Sequence, residues 1–234
     1  MHKPYIILVC PQLAENIGAV ARSMSNFGLE HLRVVSPRDG WPPSNKACEL
    51  AAKGNYILDK AKIYNDLNCA IADLNFVIAA TARPRYMVKK IGPPKKIIEY
   101  CSQKFDEDIK IGILFGRENN GLTNEELGLA DVISVIPTSE QNPSLNLAQA
   151  VSIFAYEFFS QDDMKIDRNH EICSKEEFNS LFKLLITSLE CNDYFKEKNI
   201  KNTQIQNIRN MFIKAELSSQ EIRTLIGIIK NLNK

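Results

Sequence analysis

Ile136-Pro-Thr-Ser-Glu-Gln-Asn-Pro-Ser-Leu-Asn-Leu-Ala-Gln-Ala150 decides the reading of this chain: an apolar strand runs into a polar, Pro-broken loop and then straight into an amphipathic helix. Loops that leave the carboxyl ends of parallel strands hold ligands in α/β proteins. The same architecture stands just upstream, where Ile111-Gly-Ile-Leu-Phe115 empties into Gly116-Arg-Glu-Asn-Asn-Gly121 before a helix beginning near Thr123. Two adjacent strand ends are therefore expected to face one site.

Working outward, short apolar runs alternate with helical patterns, the signature of a parallel sheet with crossover helices. Strands are expected near Tyr5 to Cys10, His31 to Val35, Phe76 to Ala80, Lys110 to Phe115 and Val132 to Ile136. Helices are expected near Ile17 to Phe27, Asn45 to Lys53, Leu67 to Leu74, Pro94 to Lys104, Asn124 to Ala130 and Leu147 to Ser160. The last carries Leu147, Val151, Phe154, Ala155 and Phe158 on one face, a core-facing stripe. From 161 to 173 the pattern dissolves into polar residues, which reads as a linker between a domain of residues 1–160 and an α-helical extension of residues 174–234. Capping boxes at Ser174-x-x-Glu177 and Ser218-x-x-Glu221 open helices in that extension, with a further helical pattern from Gln204 to Lys214. A tail of about 60 residues is small for an independent core, so it is expected to dock on the first domain or on a second subunit.

The 234 residues, 44% of them hydrophobic, suit one α/β domain with a substantial core and a small appendage, not a disordered chain. No apolar run approaches the roughly 20 residues of a membrane span, and Met-His-Lys-Pro leads into a strand without a cleavable apolar leader. A cytoplasmic protein with no membrane partner is expected. The six cysteines form no C-x-x-C pair and the three histidines are far apart, which disfavours a metal site, a disulfide framework and histidine-based nucleophilic schemes. The net charge of +1 excludes bulk electrostatic coating of nucleic acid, but its distribution is uneven. Between Asp73 and Glu99 no acidic residue occurs, while Arg83, Arg85, Lys89, Lys90, Lys95 and Lys96 make a basic, loop-rich patch.

Four strand exits gather the polar residues. After the first strand, Asn16-Ile-Gly-Ala-Val-Ala-Arg22 opens a helix that Asn16 can cap, with Gly18 allowing close backbone approach. Arg22 alone reads as a solvated helix arginine; at the ligand-binding edge of a parallel sheet it gains a functional reading. Thr123-x-x-Glu126 is explained as a capping box, whereas Glu118 sits between Gly116 and Gly121 with no such role and reads equally as a solvated loop carboxylate or a working one. Ser144 and Asn146 stand at the mouth of the last helix of the domain, where caps also occur. With Ala80-Thr81-Ala82-Arg83 they complete a rim suited to a compact nucleoside-like ligand. No G-x-G-x-x-G or P-loop pattern is present, which argues against a nucleotide-dependent oxidoreductase.

Asn16 to Arg22, Phe115-Gly-Arg-Glu-Asn-Asn-Gly-Leu-Thr-Asn-Glu-Glu-Leu127 and Ser144-Leu-Asn-Leu-Ala-Gln-Ala-Val151 resemble, in order and spacing, the three signature motifs of the SpoU branch of the SPOUT RNA 2′-O-methyltransferases. Within that branch the wording of the second and third motifs and the helical tail most resemble the TrmJ type. The resemblance implies an S-adenosylmethionine-dependent enzyme, homodimeric, with a trefoil-knotted SPOUT fold, acting on the ribose of cytidine or uridine 32 in a tRNA anticodon loop. Ribosomal RNA or the tRNA wobble ribose is the alternative target, and a non-catalytic RNA- or cofactor-binding protein is the alternative class. Matched motif to motif, it implies cofactor contacts at Ala80, Thr81, Ala82, Gly116, Ile136, Pro143, Ser144 and Leu145. The implied catalytic residues are Asn16, Arg22, Glu118, Ser144 and Asn146, and the patch Arg83, Arg85, Lys89, Lys90, Lys95 and Lys96, with Arg22, is expected on RNA phosphates. Pro143 stands where relatives often have a small polar residue, which leaves only a backbone contact there. A guanidinium stays protonated under nearly all conditions, so Arg22 suits oxyanion or phosphate stabilisation better than proton abstraction.

Overall fold

A computed structural model describes residues 3–82, 89–106, 108–160, 172–197 and 199–233. Seven strands form one fully parallel sheet: β1 (Tyr5–Val9), β2 (Leu32–Val35), β3 (Lys62–Tyr64), β4 (Phe76–Ala80), β5 (Lys90–Gly92), β6 (Ile111–Phe115) and β7 (Val132–Ser134), in the order β3-β2-β1-β6-β4-β7-β5. The central strands β1, β4 and β6 are buried almost throughout, as expected of a sheet covered on both faces. The helices are α1 (Ala14–Asn26), α2 (Asn45–Ala51), α3 (Asn55–Asp59), α4 (Leu67–Ile71), α5 (Pro94–Lys104), α6 (Asn124–Gly128), α7 (Leu147–Phe159), α8 (Lys175–Cys191), α9 (Lys201–Ala215) and α10 (Ser219–Leu232).

The alternation of side chains along β1 divides the core in two. Ile6 and Leu8 face α1, α5 and α7 together with Val20, Met24, Ile98, Val151 and Phe154, while Ile7 and Val9 face α4 and α6 with Ile71, Leu74, Leu122 and Leu127. Gly18 lets α1 and α2 meet: a β-carbon there would overlap the backbone of Ala47. The expected core stripe of α7 is buried as read, from Leu147 to Phe158.

Five of the seven strands and the longer helices were expected at these places. β3 and β5 were not, because Lys62-Ile-Tyr64 and Lys90-Ile-Gly92 are short edge strands with mostly exposed side chains and no alternating signal. The helix expected over Asn45 to Lys53 stops at Ala51, where Ala52 turns to φ +49°, and a 3₁₀ turn at Ala52–Gly54 leads into α3. β7 ends at Ser134, two residues before the expected Ile136, which releases Ile136 from the sheet.

The C-terminal helices close on a small core of their own, with Phe178, Leu181, Phe182, Ile213 and Ile222, and dock on the rest of the chain at the amino ends of the strands. The first amides of α8 bond across to α4's exit: Lys175 N–H donates to Leu74 O at 2.7 Å and Glu176 N–H to Ala72 O at 2.9 Å. Asn75 donates to Ile172 O at 2.9 Å, and at the turn after α9 Glu216 receives the Tyr100 hydroxyl and pairs with Lys104. The segment read as a linker lies outside the described residues over 161–171, and its last residues, Ile172 and Cys173, are buried.

Lys89 corrects an expectation. It is only 9% exposed, and its ammonium donates to Gly128 O at 2.9 Å and to Ala130 O, so it is not on the surface that would meet RNA. Burial pushes it down to about 7, assisted by the nearby cations Lys175 and Arg209 and opposed by Asp131.

Two outcomes are expected. Gly18→Ala forces α1 away from α2 and destabilises the fold by about 1–3 kcal/mol, read from urea unfolding midpoints. Because an unfolded lysine titrates near 10.4, the unfolded chain holds the Lys89 proton between pH of about 7 and 10 while the folded chain has lost it. Lys89's contribution to stability therefore rises with pH across that window. Lys89→Met is expected to flatten that part of the stability–pH curve relative to the parent.

Candidate active site

Three strand ends, those of β4, β6 and β7, open onto one cavity of about 410 Å³. Its walls are Ala80, Thr81 and Ala82 after β4, Phe115 to Gly121 after β6, and Ile136, Thr138, Pro143, Ser144, Leu145, Leu147 and Ala150 from the loop and helix after β7. All eight positions matched to cofactor contacts, from Ala80 to Leu145, are in this lining. The volume lies in the usual range for small-molecule sites. Thr81 N–H donates to Ser134 O at 3.0 Å, which carries the β4–β7 ladder up to the rim. At the β6 exit the loop turns so tightly that a β-carbon on Gly116 would overlap the backbone of Gly121 and Leu122, and Gly121 itself stands at φ +66°. Across the cavity Thr138 donates to Pro143 O at 3.2 Å, tying the Pro-broken loop to itself.

Beside the cavity runs a chain of polar contacts that joins the β1, β6 and β7 exits. The Glu118 carboxylate accepts from the backbone amides of Gln12 at 2.8 Å and Leu13 at 3.3 Å and from the side-chain amide of Asn16 at 2.8 Å. The Asn16 carbonyl oxygen in turn accepts from the side-chain amide of Asn146 at 3.1 Å, and Asn146 caps α7 by accepting from Ala148 N–H at 2.8 Å. Asn146 also forms a full capping box with Gln149. Asn16 itself does not cap α1, contrary to expectation: the helix begins at Ala14 with Leu13 at the cap and no side-chain cap bond. The amino end of α1 meets the Glu118 carboxylate instead, and an anion is favoured there by the helix dipole.

Glu118, Asn16 and Asn146 are thus linked directly, with Ser144 exposed on the cavity wall two residues before Asn146. Arg22 is not brought to them. It is exposed, does not line the cavity, and makes no hydrogen bond or ion pair among the described residues. Of the basic patch, Lys90, Lys95 and Lys96 are exposed, with the Lys90 ammonium 3.2 Å from the centre of the Tyr100 ring, while Arg83 and Arg85 lie outside the described residues.

Arg117 was missed in the sequence. It lines the cavity and is held by Glu126 through two bonds of 3.0 Å, with a further contact of 3.1 Å to Cys10 Sγ, and the hydrogen-bonded Glu126 carboxylate raises its pKa. Glu126 does complete the capping box with Thr123 as expected. The capping pattern accounted for Glu126 so fully that its second role, gripping Arg117, left no separate signal.

The family model for the SpoU rRNA Methylase family matches residues 3–156, the part of the chain that builds the sheet, the cavity and the polar chain. The chain belongs to the SpoU rRNA methylase family. It is similar to the protein named tRNA (cytidine-2′-O-)-methyltransferase TrmJ of Methanocaldococcus jannaschii, 34% identical over 230 residues that cover 96% of this chain and 97% of the relative. It is also similar to the tRNA (cytidine/uridine-2′-O-)-methyltransferase TrmJ of Photorhabdus laumondii, 32% identical over 98% of this chain and 96% of the relative. The solved structure of TrmJ from Z. mobilis ZM4 superposes with a TM-score of 0.89 at 37% identity, covering 99% of each chain. The match to that structure includes the C-terminal helices, which the family model does not reach.

Glu118→Ala is expected to release Asn16 and the Gln12–Leu13 turn at once. Loss of those charge-assisted bonds costs about 1–3 kcal/mol of stability, measured by urea unfolding.

Proposed function

We propose that this protein is an S-adenosylmethionine-dependent ribose 2′-O-methyltransferase acting on cytidine or uridine 32 of the tRNA anticodon loop. The observation that carries the reading is the cavity at three parallel strand ends, bordered by the Glu118–Asn16–Asn146 chain at the positions the family's motifs occupy. Membership of a methylase family and two relatives named as tRNA 2′-O-methyltransferases support the chemistry and the substrate class. The choice of nucleotide follows from the resemblance to the TrmJ type. We assign residues 1–160 to catalysis and residues 174–234 to a C-terminal extension.

The residues fit the donor. Ala80, Thr81, Ala82 and Gly116 leave room for a flat nucleoside, and backbone groups around Ile136, Pro143 and Leu145 offer hydrogen bonds along one wall. S-adenosylmethionine, when bound, supplies a methyl group activated by a cationic sulfur leaving group. The task left to the chain is to align a ribose hydroxyl with that methyl and to stabilise the oxygen as it gains charge. Ser144 and Asn146 are placed to orient the hydroxyl, Asn146 being held in turn by Asn16 and Glu118. Arg22 supplies the permanent positive charge for the developing oxyanion or the neighbouring phosphate.

Arg22 does not line its own cavity, so we give that role to the Arg22 of a second copy of the chain and assign a homodimer in which the α1–α7 face is covered. Tyr156 and Phe159 on α7 are 55% and 58% exposed and meet the Phe27 ring at the end of α1, an aromatic cluster suited to an interface core. We also assign the trefoil knot. Its support is topological: β4 and β5 run parallel, are joined by residues 81–89 alone, and have β7 between them, so a strand from much later in the chain occupies the gap spanned by a short connection. No helix among the described residues is long and apolar enough to cross a membrane, in keeping with a cytoplasmic tRNA-modifying enzyme.

Incubation with labelled donor and unmodified tRNA, followed by mapping of ribose methylation, tests the reading. Methylation at nucleotide 32 is expected; methylation confined to ribosomal RNA or to the wobble ribose overturns the target, and absence of transfer to any RNA overturns the chemistry. Arg22→Ala is expected to lower single-turnover methylation at least a hundredfold with donor affinity within twofold of the parent. Neutralising Lys90, Lys95 and Lys96 together is expected to weaken tRNA binding and reduce the slope of log K against log salt by up to about 2. An unchanged slope would remove these lysines from the RNA surface.

A further inference from the structure

The C-terminal helices are joined to the sheet through a polar cluster at the edge opposite the cavity. Asp131, just before β7, is its centre. One carboxylate oxygen accepts from Val77 N–H at 2.7 Å, the other pairs with Lys175 at the start of α8, and the two side chains are 9% and 6% exposed. Asp131 N–H donates back to Val77 O at 2.8 Å. Beside this pair the Lys89 ammonium holds the carbonyls of Gly128 and Ala130. Gln206 of α9 lies against Gly128, so close that a β-carbon there would press on its amide.

What this cluster grips is α6. A helix of one turn has almost no stability of its own, so its position is set by the burial of Leu127 and by what holds its ends. Its carboxyl end is held by Lys89 and covered by Gln206. Its amino end is capped by Thr123, and its Glu126 takes Arg117 of the cavity wall in a two-pronged pair. Residues 116–131 therefore form one short strut from the cavity to the C-terminal helices, fixed at both ends by charge-assisted hydrogen bonds.

We propose that the C-terminal helices position the Gly116–Gly121 wall of the cavity, with Lys175–Asp131 and Lys89 fixing α6 and Glu126 passing that placement to Arg117. This rests on the reading of the cavity as the methyl-donor site. Lys89, Asp131 and Lys175 are positioning residues, and none of them lines the cavity. The cluster has the character such coupling needs: buried at Asp131 and Lys175 and contiguous from α8 to the loop, with a dedicated partner at each step.

The test uses the full chain. Lys89→Met removes the ammonium that holds Gly128 and Ala130, and Lys175→Met breaks the pair with Asp131, with Lys175→Arg as the conservative rescue. Donor affinity by calorimetry is expected to fall at least fivefold in both Met variants and to recover in the Arg variant. Amide hydrogen exchange over Gly116–Leu122 is expected to quicken in the Met variants while β1 and β2 keep parental rates. Folded Met variants with donor affinity within twofold of the parent and unchanged exchange over Gly116–Leu122 overturn the proposal. Should the variants not fold, native-state exchange of the parent in low urea decides: residues 116–128 and the C-terminal helices are expected to open as one unit, and independent opening overturns the coupling. A parent that binds no donor removes the functional reading instead, and the exchange measurements, which need no ligand, still decide the coupling.

Discussion

The Glu118 carboxylate is the contact on which the site's geometry depends, because it is the one group among the described residues that meets both the β1 exit and the first turn of α1 from the β6 exit. Parallel strands deliver their carboxyl ends to a common edge, but nothing in the sheet fixes how the loops beyond that edge lie against one another. Glu118 supplies that constraint across more than 100 residues of sequence, taking two backbone amides and the Asn16 amide. Asn16 carries it to Asn146, whose cap on α7 sets where the last loop returns to the sheet. A carboxylate can accept several bonds at once and gains from the amino end of a helix, which is why an amide or hydroxyl at 118 would not hold the same arrangement.

A second carboxylate, Glu126, does comparable work one step further from the cavity. It closes a capping box, which any Thr-x-x-Glu pair does, and its remaining capacity is turned on Arg117. One side chain thereby couples the start of α6 to the cavity wall. The opposite end of α6 is held by groups that come from β5's entry and from the C-terminal helices. Charge-assisted polar contacts thus line the path from the tail to the cavity, beside the apolar core to which Leu122 and Leu127 belong.

Legibility in the sequence followed physical range. The central strands and α5 and α7 were readable because burial on one or both faces writes itself into local apolar pattern, and the cavity was readable because parallel topology alone sends the ends of β4, β6 and β7 to one rim. Asn16 was misread as a cap because a cap and a long-range amide contact place the same residue type at the same spot. Lys89 was misread as surface because no local pattern marks a lysine whose ammonium will be met by carbonyls 39 and 41 residues later. Arg33 shows the same limit: in Leu32-Arg-Val-Val35 it should point to solvent, yet it is 1% exposed, stacked 4.1 Å from the Tyr5 ring centre and paired with Asp73. In each case the deciding partner is remote in sequence, and composition near the residue is silent about it.

The two arginines of the motifs are placed differently. Arg117 lines the cavity, but its charge is met by Glu126, so it fixes geometry without imposing a net positive field on the space where a sulfonium would sit. An unpaired guanidinium on that wall would repel such a donor in a medium that screens charge poorly. Arg22, exposed and with no ion partner among the described residues, lies outside the cavity lining. On the proposed reading, a cation kept outside the donor's cavity and brought to the oxyanion by a second chain would resolve the conflict between binding a positively charged methyl donor and stabilising a negatively charged oxygen beside it.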